Sequence, residues 1–178
     1  MALMEIKKHI TTDDVLDLYA GVGTIGLSVA PDHHLTLVEC DKYAYGERCE
    51  NCKEGVFEGG PEAGKPRISA KTPVATEVLD APRKNSPRAV FAKSEEALNY
   101  IQSDQTVILD PPRSGCDKKL IEKLLSTKPE KIIYLSCNPA TQARDVKILL
   151  DEYQIDDVKT FNFFPRTPHI ENLVILSK

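Results

Sequence analysis

A basic excess is missing from this chain. Lys and Arg total 23 against 27 Asp and Glu, a net charge of −4 with an isoelectric point near 5.6. A protein that grips nucleic acid unaided carries a basic footprint. Either the substrate is not nucleic acid, or the surface that holds the phosphates belongs elsewhere. Also missing is any run approaching the roughly 18–20 apolar residues of a membrane span, and the polar start is no signal peptide. A cytoplasmic protein with no membrane partner is the expectation. A disulfide framework is lacking too. The five cysteines are odd in number and irregularly spaced, which fits a reducing compartment. Cys49 and Cys52 form a C-x-x-C on an expected helix with no second pair, so no metal is expected. Cys40 and Cys116 have no evident partner, and no internal repeat is found.

What remains is ordinary globular material, 41% hydrophobic and 28% charged. The 178 residues suit one domain, 1–178, with a sizeable core. Apolar runs alternate with amphipathic stretches. Strands are expected over 15–19, 35–39, 89–93, 106–109 and 132–136. Helices are expected over 24–30, 42–53, 94–101, 118–125 and 139–152. Two last strands, 158–163 and 172–176, are joined by a short loop and read as antiparallel. The pattern is α/β: a mostly parallel, doubly wound open sheet closing with a C-terminal antiparallel hairpin. Residues 55–88 interrupt it with Gly59-Gly60-Pro61, Lys65-Pro66 and Ala81-Pro82, a long connection that reads as a flap, an inserted hairpin or disorder.

The first strand runs into Gly21, Gly23 and Gly26, a G-x-G-x-x-G that cradles a nucleotide-like cofactor. Asp17 on that strand would repel a pyrophosphate, yet it suits the charged amino acid end of S-adenosyl-L-methionine. S-adenosylmethionine is therefore preferred over NAD. Glu39 closes the second strand, where it can accept from ribose hydroxyls.

Cys137 closes an apolar strand, at the carboxyl edge where open α/β sheets bind ligands. Asn138 is a good helix N-cap and Pro139 a good first helical residue, so the thiol faces a helix N-terminus that favours the thiolate; the competing reading for Cys137 is a small buried hydrophobe. One strand over, Asp110 is followed by Pro111-Pro112, which stops the strand. A carboxylate there can accept the ring N–H of a uracil, and Arg113 can donate to a carbonyl or phosphate. The competing reading for Asp110 is a turn aspartate. Glu171 lies between the last two strands, beside His169, as a candidate base or a solvated loop glutamate. His169 can orient that base or cap the loop.

Four segments together, 17–24, 110–115, 136–141 and 164–171, resemble the catalytic domain of the 5-methyluridine RNA methyltransferases, the uracil-C5 enzymes of transfer and ribosomal RNA. The resemblance implies a Rossmann-like class I S-adenosylmethionine-dependent methyltransferase. It implies Cys137 as nucleophile, Glu171 as base, and Asp110 with Arg113 as uracil-orienting groups. For the cofactor it implies the loop residues Asp17, Tyr19, Gly21, Gly23 and Thr24, with Glu39, Asp110, and Ser94 and Glu95 toward the adenine end. The family's enzymes also carry N-terminal RNA-binding modules and an aromatic-glutamine segment that are not found before Met1. An RNA-gripping part supplied by another domain or chain is therefore expected.

The expected chemistry is methyl transfer to carbon 5 of uracil after a thiolate adds to carbon 6, with no metal. Three alternatives differ in class: a cofactor-binding module inactive without its RNA-binding partner, an amino-group methyltransferase, and an NAD-dependent dehydrogenase. The amino-group enzyme is disfavoured because Arg113 stands where such enzymes place an aromatic after the Pro-Pro turn.

Overall fold

The computed structural model describes residues 2–44, 56–58, 87–163, 165–167 and 169–178. Cys49, Cys52 and most of the 42–53 helix and the 55–88 segment lie outside them. In chain order the elements are α1 (Ala2–Lys8), β1 (Asp14–Leu18), α2 (Thr24–Val29), β2 (His34–Glu39), β3 (Val56–Glu58), β4 (Arg88–Phe91), β5 (Gln105–Leu109), α3 (Lys118–Thr127), β6 (Lys131–Ser136), α4 (Pro139–Leu149), β7 (Gln154–Phe161) and β8 (Glu171–Ser177).

The strands form one sheet in the order β3-β4-β2-β1-β5-β6-β8-β7. All neighbours are parallel until β8, which runs antiparallel to both β6 and β7. The order turns around between β1 and β5, and the crevice at such a reversal is where doubly wound sheets bind ligands. The expected hairpin is present, but β8 lies between β6 and β7. One element was not expected: Val56–Glu58 adds a parallel strand outside β4.

The central strands are apolar on both faces because helices cover both. One face packs α1 and α2 through Ile6, Val15, Leu35, Ile108, Ile133 and Ile175. The other packs α3 and α4 through Leu16, Val107, Leu120, Leu124, Tyr134 and Leu149.

The helix expected over 94–101 is not formed. Ala97 N–H reaches the Lys93 carbonyl, then Tyr100 and Ile101 bond three residues back, a single 3₁₀ turn over Leu98–Tyr100. Ala97 and Ile101 have helical spacing, and both are buried. The Gln105 amide caps the Tyr100 carbonyl at 3.2 Å, ending the turn before a second could form.

Candidate active site

Side chains alternate across a strand, and here the alternation gathers the candidate groups. Leu135, Ile108, Val15 and Leu173 belong to the core against α1 and α2. Cys137, Asp110, Asp17 and Glu171 lie two residues further along the same strands or their continuations. They share that face of the sheet, at its carboxyl edge. Glu171 reaches this edge because β8 is antiparallel: Asn172 is opposite Ser136, and Glu171 opposite Phe161. Glu171 is thus the first residue of β8, held in register, rather than a residue of the connecting loop.

Asp110 and Glu171 feel one another. Burial first, and the Glu171 charge second, push the Asp110 carboxyl up to about 6. Burial also raises Glu171 above the usual carboxylate range. Desolvation disfavours the charged form, and a second carboxylate adds to it. Among the described residues neither carboxylate has a hydrogen-bond partner. Cys137 is a half-buried free thiol. Asn138 caps α4 as expected, its side chain accepting the Ala140 N–H at 3.2 Å, and Pro139 opens the helix.

Arg113 is tied in by both ends. Its carbonyl accepts from Asn138 Nδ2 at 2.9 Å and Thr141 Oγ1 at 3.1 Å. Its guanidinium donates to His169 Nδ1 at 3.2 Å. The loop after β5 is therefore pinned to the helix that follows the thiol, and His169 meets Arg113 instead of tuning Glu171.

The glycine loop is built by two acids. Asp17 is fully buried, and its Oδ2 accepts the Gly26 N–H at 2.9 Å. A Cβ on Gly26 would come within 2.8 Å of that oxygen and of Leu37, so only glycine lets α2 approach. The carboxylate expected to meet the amino acid end of a cofactor thus also shapes the loop from beneath. Glu39 accepts from Gly21 N–H at 2.8 Å with one oxygen, and from Cys40 and Asp41 N–H at 2.7 Å with the other. Three of its roughly four acceptor positions are in use, so a ribose hydroxyl has one left. Gly21 and Gly23 take positive φ of 55° and 87°. The space a Gly21 side chain would fill is open, and Thr24 is exposed at the start of α2.

Tyr19, also at positive φ, turns to the α3/α4 side. Its hydroxyl meets Ser94, and burial raises its pKa. With Glu95, Pro112, Cys116 and Ile148 it lines a cleft of about 690 Å³. Behind that cleft is a network that the sequence reading missed. Asp145 is buried; its Oδ2 accepts from Tyr134 Oη and Cys116 N, both at 2.8 Å. Its Oδ1 accepts from Arg144, which also donates to the Ser114 carbonyl at 3.0 Å. Burial pushes the Cys116 thiol up to about 12, so this cysteine stays protonated. Gln142, also buried, donates to the carbonyls of Tyr134 at 2.8 Å and Asn172 at 3.0 Å. Its oxygen accepts from Asn172 Nδ2 at 2.7 Å. The available signal was polar residues at 142 and 145, with Val146 and Leu149, at core-facing helical spacing.

A third cluster, Glu5, His9 and Asp157, has the donor set of a cation site. Lys159 bridges Glu5 and Asp157, so an ammonium already sits among them.

The model of the family described as tRNA (Uracil-5-)-methyltransferase matches residues 75–178. An uncharacterized RNA methyltransferase of Staphylococcus aureus (strain N315) is 32% identical over 167 residues, covering 92% of this chain and 31% of that protein. Another, from Bacillus anthracis, is 34% identical over 176 residues, with 93% and 31% covered. The chain thus spans about a third of the length of these relatives. Among solved structures, the Pyrococcus abyssi tRNA (uracil-54, C5)-methyltransferase in complex with S-adenosyl-L-homocysteine superposes with a TM-score of 0.75 at 27% identity, over 98% of this chain and 37% of that one. The sheet is therefore that of the methyltransferases, and the chain belongs to the tRNA (uracil-5-)-methyltransferase family.

Proposed function

We propose that this chain catalyses S-adenosylmethionine-dependent methylation of uracil carbon 5 in RNA, transfer or ribosomal, through a covalent adduct on Cys137. The observation that carries the reading is the convergence of Cys137, Asp110 and Glu171 on one face of one sheet edge. The two carboxylates there are desolvated and have no hydrogen-bond partner among the described residues.

Carbon 5 of uracil is a weak nucleophile until a thiolate adds to carbon 6. Cys137 Sγ forms that bond, and the electron pair it displaces moves onto the ring as an enolate. Asp110 accepts the ring N–H, and Arg113 donates to the developing oxyanion. S-adenosylmethionine, when bound, supplies the methyl group that carbon 5 takes. The open space at Gly21 fits such a ligand, with Gly23, Thr24 and Glu39 beside it and Ser94 and Glu95 toward its adenine. Glu171 then removes the carbon 5 proton. The released electron pair reforms the ring double bond and expels Cys137 as thiolate. A carboxylate with a raised pKa is the stronger base for this step. Because a uracil in RNA lies in a stack or loop, it must be unstacked to enter.

The deciding experiment is intact mass of the chain after incubation with S-adenosylmethionine and 5-fluorouridine-substituted RNA. Fluorine cannot leave as a proton, so a competent enzyme stalls as a stable adduct. That adduct should vanish in Cys137→Ala, while Glu171→Gln should trap the methylated adduct on ordinary RNA. Turnover at the wild-type rate in either variant would remove the role assigned to that residue. The chain's coverage of a third of its relatives favours a second reading: a catalytic part that needs an RNA-gripping partner. A bound cofactor without adduct is the outcome that selects it.

A further inference from the structure

Among the buried polar side chains of the described residues, Gln142 alone joins the strand that leads to the thiol to the strand that starts with the base. It sits on the first turn of α4, five residues after Cys137, and is 1% exposed. Its Nε2 hydrogens go to two carbonyls on two neighbouring strands, Tyr134 of β6 at 2.8 Å and Asn172 of β8 at 3.0 Å. Its Oε1 accepts from Asn172 Nδ2 at 2.7 Å. Asn172 Oδ1 in turn accepts from Thr160 Oγ1 of β7 at 2.7 Å. The amide cannot be flipped, since its oxygen would then face two carbonyls. One side chain thus fastens α4, β6 and β8, and through Asn172 also β7.

The place matters as much as the bonds. Ser136 opposite Asn172 is the last ladder pair between β6 and β8. Beyond it the two chains part: one continues to Cys137 and the helix, the other to Glu171. With the ladder ended, relative placement of thiol and base depends on whatever bridges that fork. Leu at this position would pack as well, but would leave Tyr134 and Asn172 groups unpaired in the core, where each lost partner is costly.

On the covalent reading above, we infer that Gln142 is a positioning residue: it holds Glu171 at the place from which the carbon 5 proton is removed from the Cys137 adduct. The group does not touch the substrate; it acts through Asn172 and the start of β8.

The inference has a signature that mere loss of stability lacks. Gln142→Met keeps the side chain's length and removes its hydrogen bonds. With ordinary uridine RNA, the variant should accumulate covalent adduct that wild type does not. Its kcat should fall about tenfold with the KM for RNA little changed. A destabilised but correctly arranged enzyme would lose adduct and product together. Thr160→Val, one hydrogen bond further out, should show the same pattern more weakly, and it serves if Gln142→Met fails to fold. Folded Gln142→Met, or failing that Thr160→Val, with wild-type kcat and no accumulated adduct overturns the inference. The 5-fluorouridine adduct of the unaltered chain is the control. If it forms and neither variant accumulates adduct on ordinary RNA, only the positioning role is lost. If it never forms, the covalent reading falls and takes this role with it.

Discussion

Two groups of polar side chains on opposite faces of the sheet are treated in opposite ways. On the α3/α4 face Asp145, Tyr134 and Gln142 are buried and bonded to one another's neighbourhood at 2.7–3.0 Å. On the α1/α2 face, at the edge, Asp110 and Glu171 are desolvated and have no such bonds among the described residues, and their pKa values rise. A fold that satisfies one set so fully has not left the other unsatisfied for want of donors. Unpartnered, desolvated acids cost stability, and on the proposed function these two are groups held ready for a substrate. The bonded face fixes the loop after β5 and the start of α4; the unbonded face uses what they position.

Breaking the bonded face should give the largest effect. Asp145→Ala leaves the buried Tyr134 hydroxyl and Cys116 N–H without their acceptor, and should destabilise by about 2–4 kcal/mol in urea unfolding. Full retention of stability would mean that the network is ornamental. Next is Gly26→Ala, which sets a methyl group against Asp17 and Leu37 and should cost about 1–3 kcal/mol. It should also weaken S-adenosylmethionine binding by calorimetry, because the loop moves with α2.

The smallest effect separates the faces by sign. Asp110 has a folded pKa of about 6, above its unfolded value. Its ionisation therefore opposes folding: the stability it contributes is complete below pH 4 and lost as pH rises through about 6. Asp110→Asn should raise stability at pH 7.5 by about 1–2 kcal/mol, less than the full linkage because the group is part-exposed. The gain should disappear near pH 4. In wild type, kcat/KM should fall as pH drops below about 6, where Asp110 is protonated. A variant that is less stable at pH 7.5 would mean that Asp110 has a hidden partner.

Much of this was legible in the chain. Val107-Ile108-Leu109 before Pro111-Pro112, and Ile132 to Leu135 before Asn138-Pro139, are apolar runs with unambiguous stops, so Asp110 and Cys137 fell at strand ends on sequence grounds alone. Glu171 was harder. Its placement at the edge depends on β8 entering between β6 and β7, which no local pattern encodes. The 94–101 segment has helical spacing but was decided by where Ala97 and Ile101 could be buried. Asp17 and Glu39 were legible as important, but the glycine N–H groups that each of them holds in the loop lie 9 and 18 residues away. Gln142 and Asp145 were missed: their one signal is being polar residues on an inward helical stripe, and their partners are set by the tertiary fold.

Strand order also carries a consequence for how the protein is made. Among the described residues β7 pairs with β8 alone, and β8 follows every other strand of the sheet in sequence. Until it arrives, β7 has no partner and the edge of β6 is bare. The strand and helix of Cys137 are synthesised before Glu171. On the proposed mechanism, a nascent chain stopped before residue 171 would carry the group that captures a pyrimidine but not the one that lets it go. Insertion of one strand then supplies a sheet neighbour to two others and, on the proposed mechanism, the release step as well. On that mechanism the strand and its carboxylate arrive together, so pairing of the sheet and release of the pyrimidine become one event.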